Sequence, residues 1–228
     1  SEATCASGDD TSTETAEAFL EDNDVSLTCA DAFVPKGSFV VVEGPSGSGK
    51  STLFKLVLGA YDAEGFTYEL ARDGNAASCA ASQVPPGVFA YVPQDNFLFA
   101  GTVRENVAFA ASDTTDSQIE RACKAACAWS FVKELPLGLD TMIGEHGQGL
   151  SQGQLQRLAI ARAICSGAPI MVLDEVTSAL DDATEAAVLA NIAALPNKTV
   201  FVAAHRAKAR EFATMRLRVE NGVMNEMR

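Results

Sequence analysis

An α/β fold built around a mostly parallel sheet, covered on both faces, is what this sequence predicts, and three observations carry that expectation. Phe39-Val40-Val41-Val42, Ile170-Met171-Val172-Leu173 and Thr199-Val200-Phe201-Val202-Ala203-Ala204 are short runs with almost no polar interruption. A strand that is apolar on both faces belongs inside a sheet covered on both sides. Helical patterns alternate with these runs, which is the arrangement that parallel strands require. The chain has 228 residues, 47% of them hydrophobic and 21% charged. That is enough for one large domain or for a core with a smaller lobe.

In chain order, Ser1 to about Ala16 is rich in Ser, Thr, Glu, Asp and Ala and nearly free of large apolar residues. Such a segment cannot bury enough surface to offset its ordering entropy and is expected to be a disordered tail or linker. The globular pattern of residues 17–228 follows. Phe39 to Val42 runs straight into a glycine-rich loop, and the helix after it carries Leu53, Leu56, Val57 and Leu58. Gly65 to Gly74 and the Ala/Ser-rich stretch beyond it read as a short strand and loops. Val88 to Val92 reads as a strand closed by Pro93.

Between about Asp113 and Leu135 a helical region is expected. Thr115 and Gln118 form a capping box there, followed by Ile119, Ala122, Cys123 and Ala126 at helical spacing. A second capping box, Ser151 with Gln154, opens a helix that should end near Gly167.

With 17 Lys plus Arg against 30 Asp plus Glu, the net charge is −13. A broad nucleic-acid footprint needs a basic face that replaces counterions, so nucleic acid is not expected as a partner. General attraction to anionic lipid is disfavoured for the same reason. Cys5, Cys29, Cys79, Cys123, Cys127 and Cys165 show no paired metal spacing and read as small packing residues in a reducing compartment. No apolar run approaches the roughly 20 residues that cross a bilayer, and no signal peptide is recognised.

Gly44-Pro45-Ser46-Gly47-Ser48-Gly49-Lys50-Ser51-Thr52 fits the phosphate-loop pattern, with a strand before it and a helix after it. The glycines let successive N–H groups turn inward at phosphate oxygens, and the helix start adds its positive dipole end. Lys50 is expected to reach the β- and γ-phosphates, and the Ser51 hydroxyl to ligate Mg²⁺. Ile170 to Leu173 ends in Asp174 and Glu175. Adjacent acids at the end of a buried strand are costly unless a cation or water compensates them. Asp174 would help hold the Mg²⁺, and Glu175 would polarise the water that attacks the γ-phosphate.

Leu150-Ser151-Gln152-Gly153-Gln154, followed by Gln156-Arg157 and Ala159-Ile160-Ala161-Arg162-Ala163, resembles the signature of the ABC ATPase family. Ser178-Ala179-Leu180-Asp181 is similar to its D-loop, Gln94 after Val92-Pro93 to its Q-loop, and His205 to its switch histidine. The resemblance runs from about Val25 to about Asn221. It implies a phosphate-loop ATPase core with a small antiparallel β subdomain and a helical signature subdomain at about residues 97–165.

The resemblance also implies that two such domains, identical or different, stack head to tail around two ATP molecules. Each site would use the phosphate loop, Asp174, Glu175, Gln94 (also a Mg²⁺ ligand) and His205 of one copy. The facing copy would contribute Ser151, Gln152, Gly153 and Gln154, with Asp181 in the D-loop. Gln152 stands where the signature has its first glycine. Phe19 is the aromatic nearest the place where the family stacks a ring on adenine; the other reading of Phe19 is a hydrophobic anchor.

Phe97 to Asn106, and Gly138 to Thr141 leading to Gly144-Glu145-His146-Gly147, resemble elements of exporter-type members. Glu145 would face the membrane domain. A membrane domain fused ahead of residue 1, with this domain on the cytoplasmic face, is the arrangement this implies. The alternative is a soluble ABC ATPase acting on DNA or ribosomes. Such proteins carry coiled-coil insertions, paired ATPase domains or basic arms, none of which is seen in this sequence.

Overall fold

The computed structural model describes residues 24–29, 32–60, 66–72, 75–79, 84, 86–95, 98–111, 113–144, 149–203, 207–220 and 223–227. The expected tail 1–16, Phe19, Glu145 and His205 lie outside these residues.

The central sheet joins β3 (Phe39–Glu43), β6 (Phe89–Val92), β9 (Ile170–Asp174), β10 (Thr199–Ala203), β11 (Met215–Glu220) and β12 (Val223–Met227). Their order is β12-β11-β3-β10-β9-β6. All neighbours are parallel except the β11–β12 hairpin at one edge. The expected mostly parallel sheet is therefore present, and every residue of β3, β9 and β10 is buried.

Side-chain parity divides the core into two layers. Val40, Val42, Ile170, Val172 and Phe201 face the layer that holds Leu53, Phe54 and Val57 of α1 (Lys50–Val57). Val41, Met171, Leu173, Val200 and Val202 face the other layer. That second layer is filled by α2 (Val103–Ala108), α3 (Asp116–Ala125), α4 (Trp129–Val132), α5 (Gln152–Cys165) and α6 (Asp182–Ala193). Consequently α1 and α5 pack on opposite faces of the sheet.

A second, antiparallel sheet has the order β2-β1-β4-β5, from β1 (Asp24–Cys29), β2 (Ala32–Val34), β4 (Phe66–Arg72) and β5 (Asn75–Cys79). The sequence reading had one short strand and loops after Gly65. The structure differs because Asn75-Ala-Ala-Ser-Cys79 has little strand propensity of its own and is held as a strand by its ladder to β4. Tyr68 of β4 is buried, edge-on to Phe89, and its hydroxyl donates to the Val57 carbonyl. A short ribbon, β7 (Gly101–Thr102) with β8 (Met142–Ile143), sits beside α2.

Both predicted capping boxes form: Thr115 with Gln118 at α3 and Ser151 with Gln154 at α5. The helical region expected between about 113 and 135 is present as two helices, α3 and α4, separated at Cys127, which has φ +54°. The Ala128 N–H donates to the Cys123 carbonyl and the Cys127 N–H to the Lys124 carbonyl, the two bonds of a Schellman motif. A cysteine occupies the position where glycine usually announces such an end, so nothing in the residue type gave it away. Cys123 is fully buried, and burial pushes its thiol up to about 12, in keeping with a packing role.

Candidate functional site

The phosphate loop is shaped by close backbone approach. A Cβ at Gly44 would lie 2.2 Å from the Val219 carbonyl of β11, so only glycine fits where β3 leaves the sheet. Gly47 and Gly49 take φ of +76° and +107°, which curl the chain into the start of α1. Lys50, the first residue of α1, is 5% exposed. Its ammonium donates to the Gly44 carbonyl at 2.9 Å and the Pro45 carbonyl at 3.0 Å. An ammonium has three donors, so one proton remains available for an anion in the loop. The Ser48 hydroxyl is buried and has no hydrogen-bond partner among the described residues. Ser46, Ser51 and Thr52 are exposed.

Asp174 continues the parity of Ile170 and Val172 and so points into the α1 layer. There it is 3% exposed. Burial pushes its carboxyl above the usual range; a hydrogen bond from Ser51 opposes this, and the Glu175 charge beside it adds to it. Two residues that the sequence reading placed together at a cation are thus in contact. Gln94 follows β6 and donates from Nε2 to Glu175 Oε2 at 3.3 Å. Glu175 has φ +54°, a left-handed backbone that turns its side chain away from the strand just ended.

Sequence reasoning missed Tyr91. It shares the parity of Phe89 on β6, and its hydroxyl lies 3.5 Å from Asp174 Oδ2. Burial first, and then the Asp174 charge, raise its phenol above the ordinary value. Strand parity was the available signal, but the β6–β9 pairing that places Tyr91 beside Val172 is a tertiary fact.

The signature residues stand elsewhere. Ser151 is the N-cap of α5: its hydroxyl accepts from the Gln154 N–H at 3.3 Å, and the Gln154 side chain accepts from the Ser151 N–H at 2.8 Å. Ser151 and Gln152 are exposed. Gly153 lies close to the Ala179 carbonyl, 3.1 Å from where its Cβ would be. Asp181 caps α6, accepting from the N–H groups of Ala183 and Thr184 at 3.1 and 2.9 Å. The structure therefore gathers Lys50, Ser51, Asp174, Glu175 and Gln94 on one side, and leaves Ser151 to Gln154 on the helix that packs against the opposite face.

Ser51, Asp174 and Gln94 offer a hydroxyl, a carboxylate and an amide carbonyl. An all-oxygen set of this kind suits a hard divalent cation that keeps several waters, such as Mg²⁺. The buried Asp174 carboxyl, with the Ser51 hydroxyl and the Lys50 charge acting on it, and the glycine-rich loop beside it fit Mg²⁺ carrying a polyphosphate.

Comparison with known proteins follows the same lines. Residues 24–178 match the family described as ABC transporter. The ATP-dependent lipid A-core flippase of Thiobacillus denitrificans is 44% identical over 191 residues, covering 83% of this chain and 33% of the flippase. That of Vibrio cholerae is 43% identical over 195 residues, covering 85% and 33%. That of Haemophilus ducreyi is 44% identical over 207 residues, covering 90% and 34%. The chain thus spans about a third of the length of these relatives. Among solved structures, a bacterial Atm1-family ABC exporter with ATP bound superimposes with a TM-score of 0.76 at 30% identity. The match covers 90% of this chain and 38% of the exporter chain.

Proposed function

We propose, for a chain that belongs to the ABC transporter family, that it is an ATP-binding and ATP-hydrolysing domain that powers an exporter. One observation carries the mechanism: the helix that the phosphate loop opens and the signature helix pack on opposite faces of one sheet. Within a single copy the two do not converge, so a complete site takes the loop of one copy and the signature of another. Ser151 and Gln152 are exposed at a helix N-terminus, where a hydroxyl and free N–H groups suit a γ-phosphate.

Bound Mg²⁺ would be held by Ser51, Asp174 and Gln94, and would supply charge neutralisation on the phosphates. The loop of Gly44 to Gly49 wraps the phosphates with backbone N–H groups, and Lys50 directs its remaining proton at them. Glu175 accepts the proton of the attacking water as oxygen bonds to the γ-phosphorus and ADP leaves. Gln94, already bonded to Glu175, sets the direction of that carboxylate. His205 and the adenine platform Phe19 complete this reading and lie outside the described residues.

The membrane part of the exporter would be a transmembrane domain, fused ahead of residue 1 through the polar segment 1–16. Two findings support this: the relatives are about two and a half times as long as this chain, and among the described residues no helix is long and apolar enough to cross a membrane. This domain would then work on the cytoplasmic face.

The deciding experiment is light scattering on the Glu175→Gln chain with and without Mg-ATP. A monomer that becomes a dimer only with nucleotide, and fails to do so when Ser151→Arg is added, is the expected result. A dimer that ignores both nucleotide and Ser151 would refute the shared site.

A further inference from the structure

Gln156 lies on α5 one turn beyond the signature, and it is 1% exposed. Its side-chain carbonyl accepts from the Ala179 N–H at 3.1 Å, and its amide donates to the Ser178 hydroxyl at 3.1 Å. The Ala179 amide can only donate, so the orientation of the Gln156 side chain is set by the loop it holds. On the same side, Gly153 sits so close to the Ala179 carbonyl and Leu180 that no side chain fits without displacement.

The far end of this loop is anchored to the hydrolytic machinery. The Ser178 N–H donates to the Glu175 carbonyl at 3.2 Å. Thr177 donates to Glu185 of α6 at 2.8 Å in a buried bond, and Asp181 caps the same helix. The chain from Glu175 to Asp181 is therefore pinned at its start to α6 and at its middle to α5.

We infer that Gln156 is a positioning residue: it fastens the loop after Glu175 onto the signature helix. Glu175, which serves this copy's nucleotide, and Ser151, which faces the partner's, are then joined through this buried side chain. The part of this inference that concerns two sites rests on the shared-site reading above. Its physical content is that displacing the signature helix relative to the loop after Glu175 breaks the two hydrogen bonds of Gln156. A buried side-chain amide with both of its ends engaged is the connection.

The test uses the full chain with Gln156→Met, which keeps length and volume but makes neither bond. Gln156→Glu is the conservative control: one carboxylate oxygen accepts from the Ala179 N–H, and the other can accept from the Ser178 hydroxyl. In the nucleotide-free protein, Gln156→Met should speed hydrogen exchange at the Ala179 amide by about fivefold to tenfold, the worth of one hydrogen bond. ATP affinity of the monomer should stay unchanged, because no phosphate-loop contact is touched. Combined with Glu175→Gln, it should weaken the Mg-ATP dimer by at least a similar factor, and Gln156→Glu should restore much of both losses.

Unchanged exchange at Ala179 would overturn the fastening. Faster exchange with a dimer as tight as that of the parent would overturn the positioning role. Should the Glu175→Gln parent form no dimer at all, the shared-site reading fails instead, and exchange at Ala179 in the two Gln156 variants still decides whether this side chain holds the loop.

Discussion

Glu43, the last residue of β3, accepts hydrogen bonds from Arg216 of β11 on both carboxylate oxygens, at 3.1 and 3.3 Å. Arg210 approaches the same carboxylate at 2.8 Å from the turn formed by Ala207–Phe212. This cluster stands directly before Gly44, so the root of the phosphate loop is tied to two later parts of the chain. Burial alone would raise the Glu43 carboxyl, but the hydrogen bond from Arg216 and the charges of Arg210 and Arg216 outweigh it. The net shift is downward.

A carboxyl whose folded value lies below its unfolded value of about 4.3 stabilises the fold at every pH above that unfolded value. The contribution is lost as pH falls through the folded value. Both arginines are partly exposed, so Glu43→Ala should cost only about 1–2 kcal/mol at pH 7. For a chain of this size that is about 2–8 °C in Tm. The gap between native and variant should start to narrow as pH falls below about 4.3 and close below the lowered folded value. Thermal melts at two pH values check this, and an equal gap at both would show that the ion cluster is not its source.

Lys50→Ala should remove a charge-assisted contact worth about 1.5–3 kcal/mol, and so weaken ATP binding by at least tenfold. Calorimetry reads this directly. The variant also frees the Gly44 and Pro45 carbonyls, so loop mobility should rise in the same protein.

Glu175→Gln should leave ATP affinity near that of the native chain while cutting phosphate release by about 10²–10⁴-fold, the usual worth of a positioned general base. The Gln94 amide can still donate to the new side-chain carbonyl, so the geometry survives and only the proton acceptor is lost. Hydrolysis at the native rate would send the search for the base elsewhere.

Phe19→Ala addresses the adenine platform. A ring stacked on the base should cost about 1–3 kcal/mol of ATP affinity when removed, by analogy with base–aromatic stacking. GTP should suffer equally, since stacking does not read base edges. An unchanged Kd with a lowered Tm would make Phe19 a hydrophobic anchor.

The sequence by itself determined whatever depends on neighbours along the chain. The capping boxes at Thr115 and Ser151 are hydrogen bonds between residues three apart, so residue type and spacing were sufficient to place both helix starts. The phosphate loop was legible because Gly44, Gly47, Gly49 and Lys50 meet backbone requirements that few other residues meet. The buried strands β3, β9 and β10 were legible because two covered faces confine polar residues to the strand ends, at Glu43, Asp174 and Thr199.

Tertiary structure decided the rest. The strand at Asn75–Cys79 exists through pairing with β4, and the break at Cys127 through backbone bonds that its residue type did not signal. Glu43 and Arg216 are separated by 173 positions and meet because the parallel register sets β11 beside β3. Tyr91 reaches Asp174 because β6 pairs with β9 in one register, and a shift by one residue would turn its ring to the other layer. Which side chains share a face is a local property of each strand, but which faces meet is set by pairings between segments far apart in the chain.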